Sequence, residues 1–300
     1  MERRQFIVTL VTNFAASRLA VVAGVGGSVV DCASSAARPR SAGTERLDRI
    51  GLQLYTVRDA LAKDFEGTLA RVAATGYREV EFAGYMGRRP EEVRAVLERN
   101  GLRAPSAHVA LEEMRAHMPA VVDAAHTIGH DYIVVPYLPD QERRTMAQYE
   151  RLADELNTLG RAARDADLRL GYHNHDFEFT TGARAAGGEG RLPYDLLLER
   201  TDPQLVSFEM DLYWITKAGY DPLAYFARFP GRFRMVHVKD STGAPEHRMA
   251  PVGAGTIDFR RIFAQRKQAG IEHAFVEHDN PTDAFASIAT SYANLSKMTF

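Results

Sequence analysis

Eight short apolar runs recur along the chain, and an amphipathic segment follows each of them. Short, nearly continuous apolar runs are typical of parallel strands that are buried on both faces. Successive runs begin roughly 25 to 40 residues apart, which is the length of one strand–helix unit. We predict strands at Ile50–Tyr55, Glu79–Phe82, Arg103–His108, Tyr132–Pro136, Arg169–His173, Leu205–Met210, Arg234–Val238 and His273–Glu277.

The segments between these runs have the spacing of surface helices. Apolar residues recur every three or four positions, as at Leu61, Phe65, Leu69 and Val72. Strand–helix alternation predicts a parallel sheet, and eight units predict one closed (β/α)8 TIM barrel. A doubly wound sheet would have fewer strands and a glycine-rich first turn, yet no GxGxxG follows the first run and GxxxxGK[ST] does not occur.

Composition excludes some classes of function. Of the 300 residues, 45% are hydrophobic and 25% are charged, as in an ordinary soluble globular protein. The formal net charge of -2 gives no basic field for nucleic acid, so we expect no nucleic-acid partner. Cys32 is the only cysteine, which excludes an intrachain disulfide and a CxxC metal site.

The first 45 residues differ from the rest of the chain. Arg3 and Arg4 form a twin-arginine start, and an apolar stretch rich in alanine, valine and glycine follows at 14–30. We predict an export leader over 1–45 that directs the protein to the periplasm, and a barrel domain over 46–300. The stretch is too short and too broken for a membrane span. A disordered or wrongly assigned N-terminus is the alternative.

One insert interrupts the repeat after the fifth strand. The segment Thr180–Arg191 contains four glycines and lacks the apolar spacing of its neighbours. Its position predicts a flexible loop or lid at the mouth of the barrel. A linker between two domains is the alternative interpretation.

Polar residues end the predicted strands, where the chemistry of such barrels occurs. Strands five to eight each place a His, Asp or Glu at the same height: His173, Asp211, His237 and Glu277. Two imidazoles and two carboxylates suit Mn, Co, Zn or Fe better than Ca or Mg. We therefore predict one divalent metal bound by these four residues. A network of salt bridges around the mouth is the alternative, since buried charges are costly unless paired or bound to metal.

Other catalytic chemistries fit the sequence less well. Cys32 lies in the predicted leader and no GxSxG occurs, which argues against a cysteine or serine nucleophile. A glycosidase that uses Glu81 and Glu277 as its pair of carboxylates is conceivable in a barrel. It would leave the histidines at the strand ends unexplained.

Several motifs at the strand ends resemble the xylose isomerase-like barrel family, often called sugar phosphate isomerase/epimerase. The resemblance covers roughly residues 49–300, and the family includes ketose 3-epimerases, inosose dehydratases, hydroxypyruvate isomerases and endonuclease IV relatives. A His-Val-Lys-Asp element followed by Gly-x-Gly-x-Ile-Asp-Phe is its most specific combination. The motifs are Ile50–Arg58, Tyr172–Phe179, Met210–Trp214, Pro230–Phe233, His237–Asp240 and Val252–Phe259.

The resemblance implies a metal held by Glu, Asp, His and Glu from strands five to eight. Asp211, His237 and Glu277 match that pattern, whereas His173 stands in place of the first Glu. In similar epimerases, two metal-bound glutamates move a proton on opposite faces of an enediolate. Only Glu277 remains here, unless Glu178 or Glu209 reaches the site, so the resemblance disfavours simple 3-epimerisation.

The His-Asn-His variant with a leader resembles exported members of the family linked to the breakdown of oxidised glycosides. In those proteins a 3-keto sugar loses its C2 proton and eliminates its aglycone. We therefore expect a small-molecule sugar substrate and proton abstraction beside a metal-bound carbonyl, followed by isomerisation, epimerisation or elimination. Glu277 or His175 is the expected base.

The remaining polar and aromatic residues are candidates for binding substrate. Lys239 would bind a substrate oxygen or phosphate, unless it forms a surface salt bridge with Asp240. Glu81 and His108 would hold substrate hydroxyls, and Arg248 would contact substrate from the loop after strand seven. Aromatic walls for a sugar ring are expected at Tyr55, Tyr213 and Trp214. A purely structural role is the alternative for each of them.

Two rival classes remain at the level of the sequence. An endonuclease IV-like DNA-repair enzyme would need more metal ligands and a basic groove, which the net charge and the leader argue against. A non-catalytic barrel that binds sugar or metal is disfavoured by the retention of Glu277 and Lys239. The sequence leaves the oligomeric state open, with a homo-oligomer as one option.

Overall fold

A computed structural model describes residues 44–180 and 190–300. Eight parallel strands close into one barrel, in which each strand pairs with the next in sequence and the eighth pairs with the first. This confirms the predicted (β/α)8 fold. The strands are β1 Gly51–Gln53, β2 Glu79–Phe82, β3 Arg103–His108, β4 Tyr132–Val135, β5 Arg169–His173, β6 Val206–Asp211, β7 Phe233–Val238 and β8 His273–Val276.

Helices alternate with the strands and surround the barrel. Short 3-10 turns lie at Leu54–Val57, Asp140–Glu142 and Phe177–Phe179, and the two-residue strands Asp240–Ser241 and Met249–Ala250 pair antiparallel after β7. The α-helices are α1 Arg58–Lys63, α2 Phe65–Thr75, α3 Pro90–Arg99, α4 Leu111–Ile128, α5 Met146–Asp165, α6 Pro193–Arg200, α7 Leu212–Lys217, α8 Pro222–Arg228, α9 Phe259–Phe263, α10 Arg266–Ala269 and α11 Ala284–Leu295.

Local sequence explains where several helices begin and which face they bury. Asp64, Thr145 and Asp283 each accept a hydrogen bond from a backbone N–H three residues on, so α2, α5 and α11 begin with a side-chain cap. Leu152 and Leu156 lie on one face of α5 and are buried. The apolar stripe of each such helix packs against the outside of the barrel.

Large side chains fill the barrel below its mouth. Tyr132, Val134, Met235 and Phe275 are completely buried and form a cluster of their own. A Cβ atom on Gly51 would lie 2.4 Å from Phe275 Cδ1, so this strand position has room only for glycine. Apolar and aromatic side chains thus fill the interior at this level. The polar residues of the mouth lie above them, at the carboxyl ends of the strands.

Two predictions concern segments outside the described residues. Almost all of the predicted leader at 1–45, and the centre of the predicted lid at 181–189, lie there. Glu45, the last residue assigned to the leader, contacts the barrel domain, because its side chain pairs with Lys267 at 2.9 Å and its carbonyl accepts the Phe300 N–H. Among the described helices, none is long and apolar enough to cross a membrane.

Candidate active site

Each of the last four strands brings two polar residues, two positions apart, to the mouth of the barrel. The pairs are His173 and His175, Glu209 and Asp211, His237 and Lys239, and Glu277 and Asp279. Residues two apart on a strand face the same side, so both members of a pair can face the barrel interior. The polar groups form two layers, a lower one and an upper one, and the fourth pair contributes both of its members to the upper one.

Three imidazoles surround one carboxylate in the lower layer. The Oε2 atom of Glu209 lies 2.8 Å from His108 Nε2, 3.0 Å from His173 Nδ1 and 3.1 Å from His237 Nε2. We call these four residues the inner cluster. Glu209 and His237 are completely buried, whereas His108 retains 11% of its side-chain exposure.

Glu81 lies beside the inner cluster and joins it to β1 and β3. Its Oε2 atom accepts a hydrogen bond from Gln53 at 2.8 Å and lies 2.7 Å from His237 Nε2, and its Oε1 atom accepts from the Ser106 hydroxyl. Because Glu81 is completely buried and bonded in this way, it holds the cluster together from beneath.

A lysine occupies the centre of the upper layer. Lys239 Nζ lies 3.0 Å from Asp211 Oδ2, 2.7 Å from Glu277 Oε2 and 2.8 Å from Asp279 Oδ1. We call these four residues the outer cluster. Glu277 Oε2 also lies 2.7 Å from His237 Nδ1, so His237 connects the two clusters.

The alternative pairing of Lys239 with Asp240 is wrong. Asp240 instead accepts hydrogen bonds from four backbone N–H groups, those of Ser241, Gly253, Gly255 and Ile257. A Cβ on Gly255 would lie 2.2 Å from Asp240 Oδ1, which explains the glycine in the Gly-x-Gly-x-Ile-Asp motif. The motif therefore fixes the loop after β7, while Lys239 faces the mouth.

The predicted metal ligands fall into two overlapping groups of donors. His173 and His237 lie in the inner cluster, whereas Asp211, His237 and Glu277 form a second group near Lys239. The residues fit a divalent metal, because imidazoles and carboxylates converge within 4.8 Å and the buried Glu209 Oε1 has no hydrogen-bond partner among the described residues.

Burial and neighbouring charges give the imidazoles different protonation states. Burial lowers the pKa of His173 to about 3, with His237 adding to the effect. Burial and His173 together hold the pKa of His175 well below its usual range. Burial has the same direction for His237, but the charges of Glu209 and Glu277 outweigh it and raise its pKa well above the usual range. His175 is therefore a neutral base, and His237 is a cation in the absence of a metal.

The groups of the outer cluster also shift one another. Burial raises the pKa of Asp211 to about 6, although Lys239 opposes this. Burial acts against ionisation of Glu277 as well, but Lys239 and His237 outweigh it and hold its pKa well below the usual range. Burial would lower the pKa of Lys239, yet Asp211 and Glu277 raise it. Glu277 and Lys239 thus form a buried ion pair.

A cavity of about 550 Å³ opens above both clusters. This size is within the range of pockets that bind small molecules. Its two lining tyrosines, Tyr55 and Tyr137, are among the most exposed large apolar side chains of the described chain, at 42% and 47%. The lining residues are Tyr55, Ala83, Gly84, His108, Ala110, Pro136, Tyr137, His173, His175, Lys239, Glu277 and Asp279.

Aromatic contacts hold His175 in the cavity wall. Its ring stacks on Phe177 with centroids 5.5 Å apart, and Trp214 and Tyr137 lie 5.5 and 5.3 Å away. Its Nδ1 atom has no hydrogen-bond partner within the described part of the chain. The backbone N–H of His175 donates to the buried carboxyl of Glu178, which fixes the turn after β5.

Comparison with known proteins agrees with this geometry. Residues 69–293 match the family described as xylose isomerase-like TIM barrel, which is more than half of the chain. The chain belongs to this family.

Relatives in the xylose isomerase-like family include enzymes named for reactions of sugars and related polyols. An inosose dehydratase of Lacticaseibacillus casei is 26% identical over 244 residues, which cover 69% of this chain and 79% of that protein. A sugar phosphate isomerase/epimerase from Parabacteroides distasonis has a TM-score of 0.72 and 28% identity, and the match covers 83% of this chain and 98% of that one. The 3-keto-D-glucoside 4-epimerase from E. coli has a TM-score of 0.62 and 19% identity over 83% and 99% of the two chains, which shows a shared fold.

Some residues predicted to contact substrate do not line the cavity. Glu81 is buried beneath it, and Trp214 packs behind His175 and Lys239. Tyr213 is buried and donates its hydroxyl hydrogen bond to the His247 carbonyl. Arg248 is exposed in the loop after β7. These four side chains are not among the residues that line the cavity, and their contact with substrate stays a prediction, whereas Tyr55, His108 and Lys239 do line it.

At the mouth of the barrel, the sequence indicated too small a role for Glu209, and it did not predict Asp279 or Tyr137 as site residues. Glu209, considered only as an extra carboxylate, is the centre of the inner cluster, whereas Glu178 is bonded to Tyr172 and the His175 N–H. Asp279 and Tyr137 line the cavity. The period of two along a strand could have identified Glu209 from Asp211 and Asp279 from Glu277, but nothing local marks Tyr137.

Proposed function

We propose that this protein is a metal-dependent enzyme that removes a proton from the carbon next to the carbonyl of a keto sugar or related polyol. Isomerisation, epimerisation or elimination would follow, including elimination from a 3-keto-glycoside. The observation that carries the proposal is the cavity itself, which opens onto His173 from the inner cluster and onto Glu277 and Lys239 from the outer one.

The relatives support the reaction class. Their names include a dehydratase, a sugar phosphate isomerase/epimerase and a 3-keto-glucoside epimerase. Abstraction of a proton beside a carbonyl is a step that elimination and epimerisation of such compounds can share.

The imidazoles and carboxylates of the mouth would hold the metal. A divalent metal bound there would act as a Lewis acid that polarises a substrate carbonyl and acidifies the adjacent C–H. Lys239, which is cationic and lines the cavity, would stabilise negative charge that develops on a substrate oxygen.

Two residues are placed to accept the substrate proton. Glu277 lines the cavity and is ionised, since Lys239 and His237 hold its pKa low. His175 lines the same cavity as a neutral imidazole, although its Nδ1 atom is buried and has no hydrogen-bond partner among the described residues. We assign the main base to Glu277, because its ionised carboxylate lines the cavity, whereas the Nδ1 atom of His175 is buried.

Elimination or hydration fits the site better than simple epimerisation. A two-base epimerisation needs a second carboxylate on the opposite face of the substrate, and His173 stands where similar epimerases have it. Glu209 is completely buried and surrounded by imidazoles, so it does not face the cavity as a second base.

The two exposed tyrosines would hold the substrate ring. Tyr55 is held by the Arg58 guanidinium, 4.0 Å from the ring centroid, and Arg58 also donates to the Asp279 carbonyl. Tyr137 is held by Arg143, which donates to its hydroxyl at 3.0 Å. Aromatic faces kept in place by cations suit the apolar C–H faces of a sugar.

The experiment measures exchange of the substrate hydrogen on the carbon beside the carbonyl. Keto sugars and 3-keto-glycosides are incubated with the metal-loaded protein in heavy water, and the carbon beside the carbonyl is monitored by NMR. We expect deuterium incorporation there, or a primary isotope effect when that position is labelled. His175→Ala should slow turnover while keeping the metal. Turnover with neither signal, with attack at the anomeric carbon, would instead identify ordinary glycoside hydrolysis.

We also propose export to the periplasm through the twin-arginine route. The support is the Arg3-Arg4 start with its apolar stretch. Replacing both arginines by lysine should move the protein from the periplasmic to the cytoplasmic fraction. Unchanged fractionation would contradict a leader of this kind.

A further inference from the structure

We propose that the divalent metal binds in the inner cluster, to His108, His173, Glu209 and His237, and that Asp211 and Glu277 support these ligands without binding the metal. This set shares His173 and His237 with the sequence prediction and replaces its two carboxylates. The inference rests on the metal dependence of the proposed function and names the residues responsible for it.

Lys239 is the first reason. A metal held by Asp211 and Glu277 would compete for the carboxylate oxygens that already face the lysine, since Asp211 Oδ2 and Glu277 Oε2 lie 3.0 and 2.7 Å from Nζ. The ammonium is almost completely buried, at 3% side-chain exposure. Its charge has no other described carboxylate partners than those of the outer cluster. A dication beside it would face strong repulsion at this depth.

The hydrogen bonds of the outer carboxylates also argue against a metal bound by Asp211 and Glu277. Asp211 Oδ1 accepts the backbone N–H groups of Tyr213 and Trp214, both at 2.9 Å, and so caps α7. Among the described residues, Asp211 Oδ2 accepts no aligned hydrogen bond, but it lies 3.0 Å from the Lys239 ammonium. Glu277 Oε2 is shared by Lys239 and His237. These oxygens already have partners within the protein.

Glu209 is different. Its ionic partners in the described chain are imidazoles alone, and its Oε1 atom is buried without a partner. Three ring nitrogens converge on its Oε2 at 2.8–3.1 Å. A buried carboxylate with one unpartnered oxygen, beside three convergent imidazoles, is a donor set that suits a cation. Three imidazoles and one carboxylate suit Zn²⁺ or Co²⁺.

The carboxylates of the outer cluster would then orient the metal-binding histidines of the inner cluster. Metal-bound histidines usually donate their second N–H to a carboxylate or carbonyl. His237 meets this rule, because its Nδ1 lies 2.7 Å from Glu277 Oε2, while its Nε2 lies 2.7 Å from Glu81 Oε2 and 3.1 Å from Glu209 Oε2. His173 faces Glu209 with Nδ1, and its Nε2 lies 3.6 Å from Asp211 Oδ2. His108 and His173 also line the cavity, so a metal in this cluster is open to substrate.

The test compares two carboxylates of one strand. Glu209→Gln and Asp211→Asn are matched, since both residues are completely buried on β6 and each loses only its charge. Zn²⁺ affinity is measured by competition with a chromophoric chelator, and Co²⁺ binding by visible absorption. Asp211→Asn should weaken binding within the roughly 10–100-fold range of supporting residues and keep the Co²⁺ bands. Glu209→Gln should exceed that range and change the bands.

A second pair keeps the test valid if Glu209→Gln does not fold. His108→Ala should lose the metal and regain it with added imidazole, because His108 reaches the cavity. His175→Ala, which removes a neighbouring histidine of the same wall, should keep it. If Asp211→Asn and Glu277→Gln abolish the Co²⁺ bands while Glu209→Gln and His108→Ala keep them, the inner site is wrong and the proposed reaction stands. If the wild type binds neither ion, the metal dependence fails with it.

Discussion

The two ends of the barrel contain the same residue types but neutralise their charges differently. At the amino-terminal end, Glu79 lies 2.8 Å from His273 and also faces Arg49 and Arg103 at 3.4 and 3.6 Å. Glu272 beside it pairs with Arg169 and Arg234, both at 2.9 Å. These four arginines are 40–57% exposed.

At the carboxyl-terminal mouth, the carboxylates meet buried imidazoles and one buried lysine instead. Within the described chain, no arginine pairs with Glu81, Glu209, Asp211 or Glu277. Arginine is always charged and neutralises a carboxylate permanently, whereas imidazoles can bind a metal and exchange protons. The partners of the carboxylates, more than the carboxylates themselves, therefore distinguish the amino-terminal end of the barrel from its mouth.

Glu277→Gln should have the largest effect in this comparison. It removes the proposed base, and general-base contributions are typically about 10²–10⁴-fold, so kcat/KM should fall by at least that factor. Steady-state kinetics on a substrate that passes the exchange test would measure it. A variant that keeps more than a tenth of wild-type activity would show that Glu277 is not the base.

Glu178→Gln and Glu79→Gln should change stability with opposite pH dependence. Burial raises the pKa of Glu178 to about 8, so the folded state holds a proton that the unfolded state releases above about 4.5. The wild type should therefore lose stability relative to Glu178→Gln as pH rises from 4.5 to 8, by at most about 1.4 kcal/mol per pH unit.

Glu79 should make the free energy of unfolding depend on pH in the opposite direction to Glu178. Burial would raise its pKa, but His273 and Arg103 outweigh burial and lower it. Its contribution is present above the unfolded pKa of about 4.5 and is lost as pH falls through the folded value. Urea unfolding of the three proteins from pH 8 down to about pH 2 measures both, because the Glu79 contribution changes below about pH 4.5. The same sign of slope for the two variants would remove the electrostatic contrast between rim and mouth.

Tyr137→Ala should have a moderate effect at the edge of the mouth. Aromatic contacts contribute about 0.5–1.5 kcal/mol beyond area burial, which corresponds to a rise in KM of roughly 2- to 12-fold with little change in kcat. Tyr137→Phe keeps the ring and serves as the control. A larger loss in kcat than in KM would place Tyr137 in the chemical step and not in ring binding.

Glu272→Gln should have the smallest effect. Glu272 precedes β8 and Glu277 follows it, so the two substitutions compare opposite ends of one strand. Exposed ion pairs contribute about 0.2–1 kcal/mol each, so a small loss in the free energy of unfolding is expected, with kcat unchanged. Thermal unfolding and kinetics would check this, and a large fall in kcat would mean that the rim is coupled to the site.

Local sequence determined the framework of this protein. Short apolar runs and helical spacing depend on nearest neighbours along the chain, and they predicted all eight strands, in several cases to within a residue of the observed ends, as at Glu79–Phe82. Parallel strands in a closed barrel share one carboxyl end, so the polar residues that follow them had to meet there. His173, Asp211, His237 and Glu277 accordingly lie together at the mouth.

Only the tertiary structure decided which of these groups are partners. His237 meets Glu81 from the far side of the barrel, 156 residues away, and Lys239 lies between Asp211 and Glu277 and not beside Asp240. The stagger of the strands places Glu209 level with the imidazoles and brings His108 to it from β3. Such contacts depend on barrel closure and side-chain packing. The spacing of residues along the chain therefore does not show which acidic group pairs with which basic group.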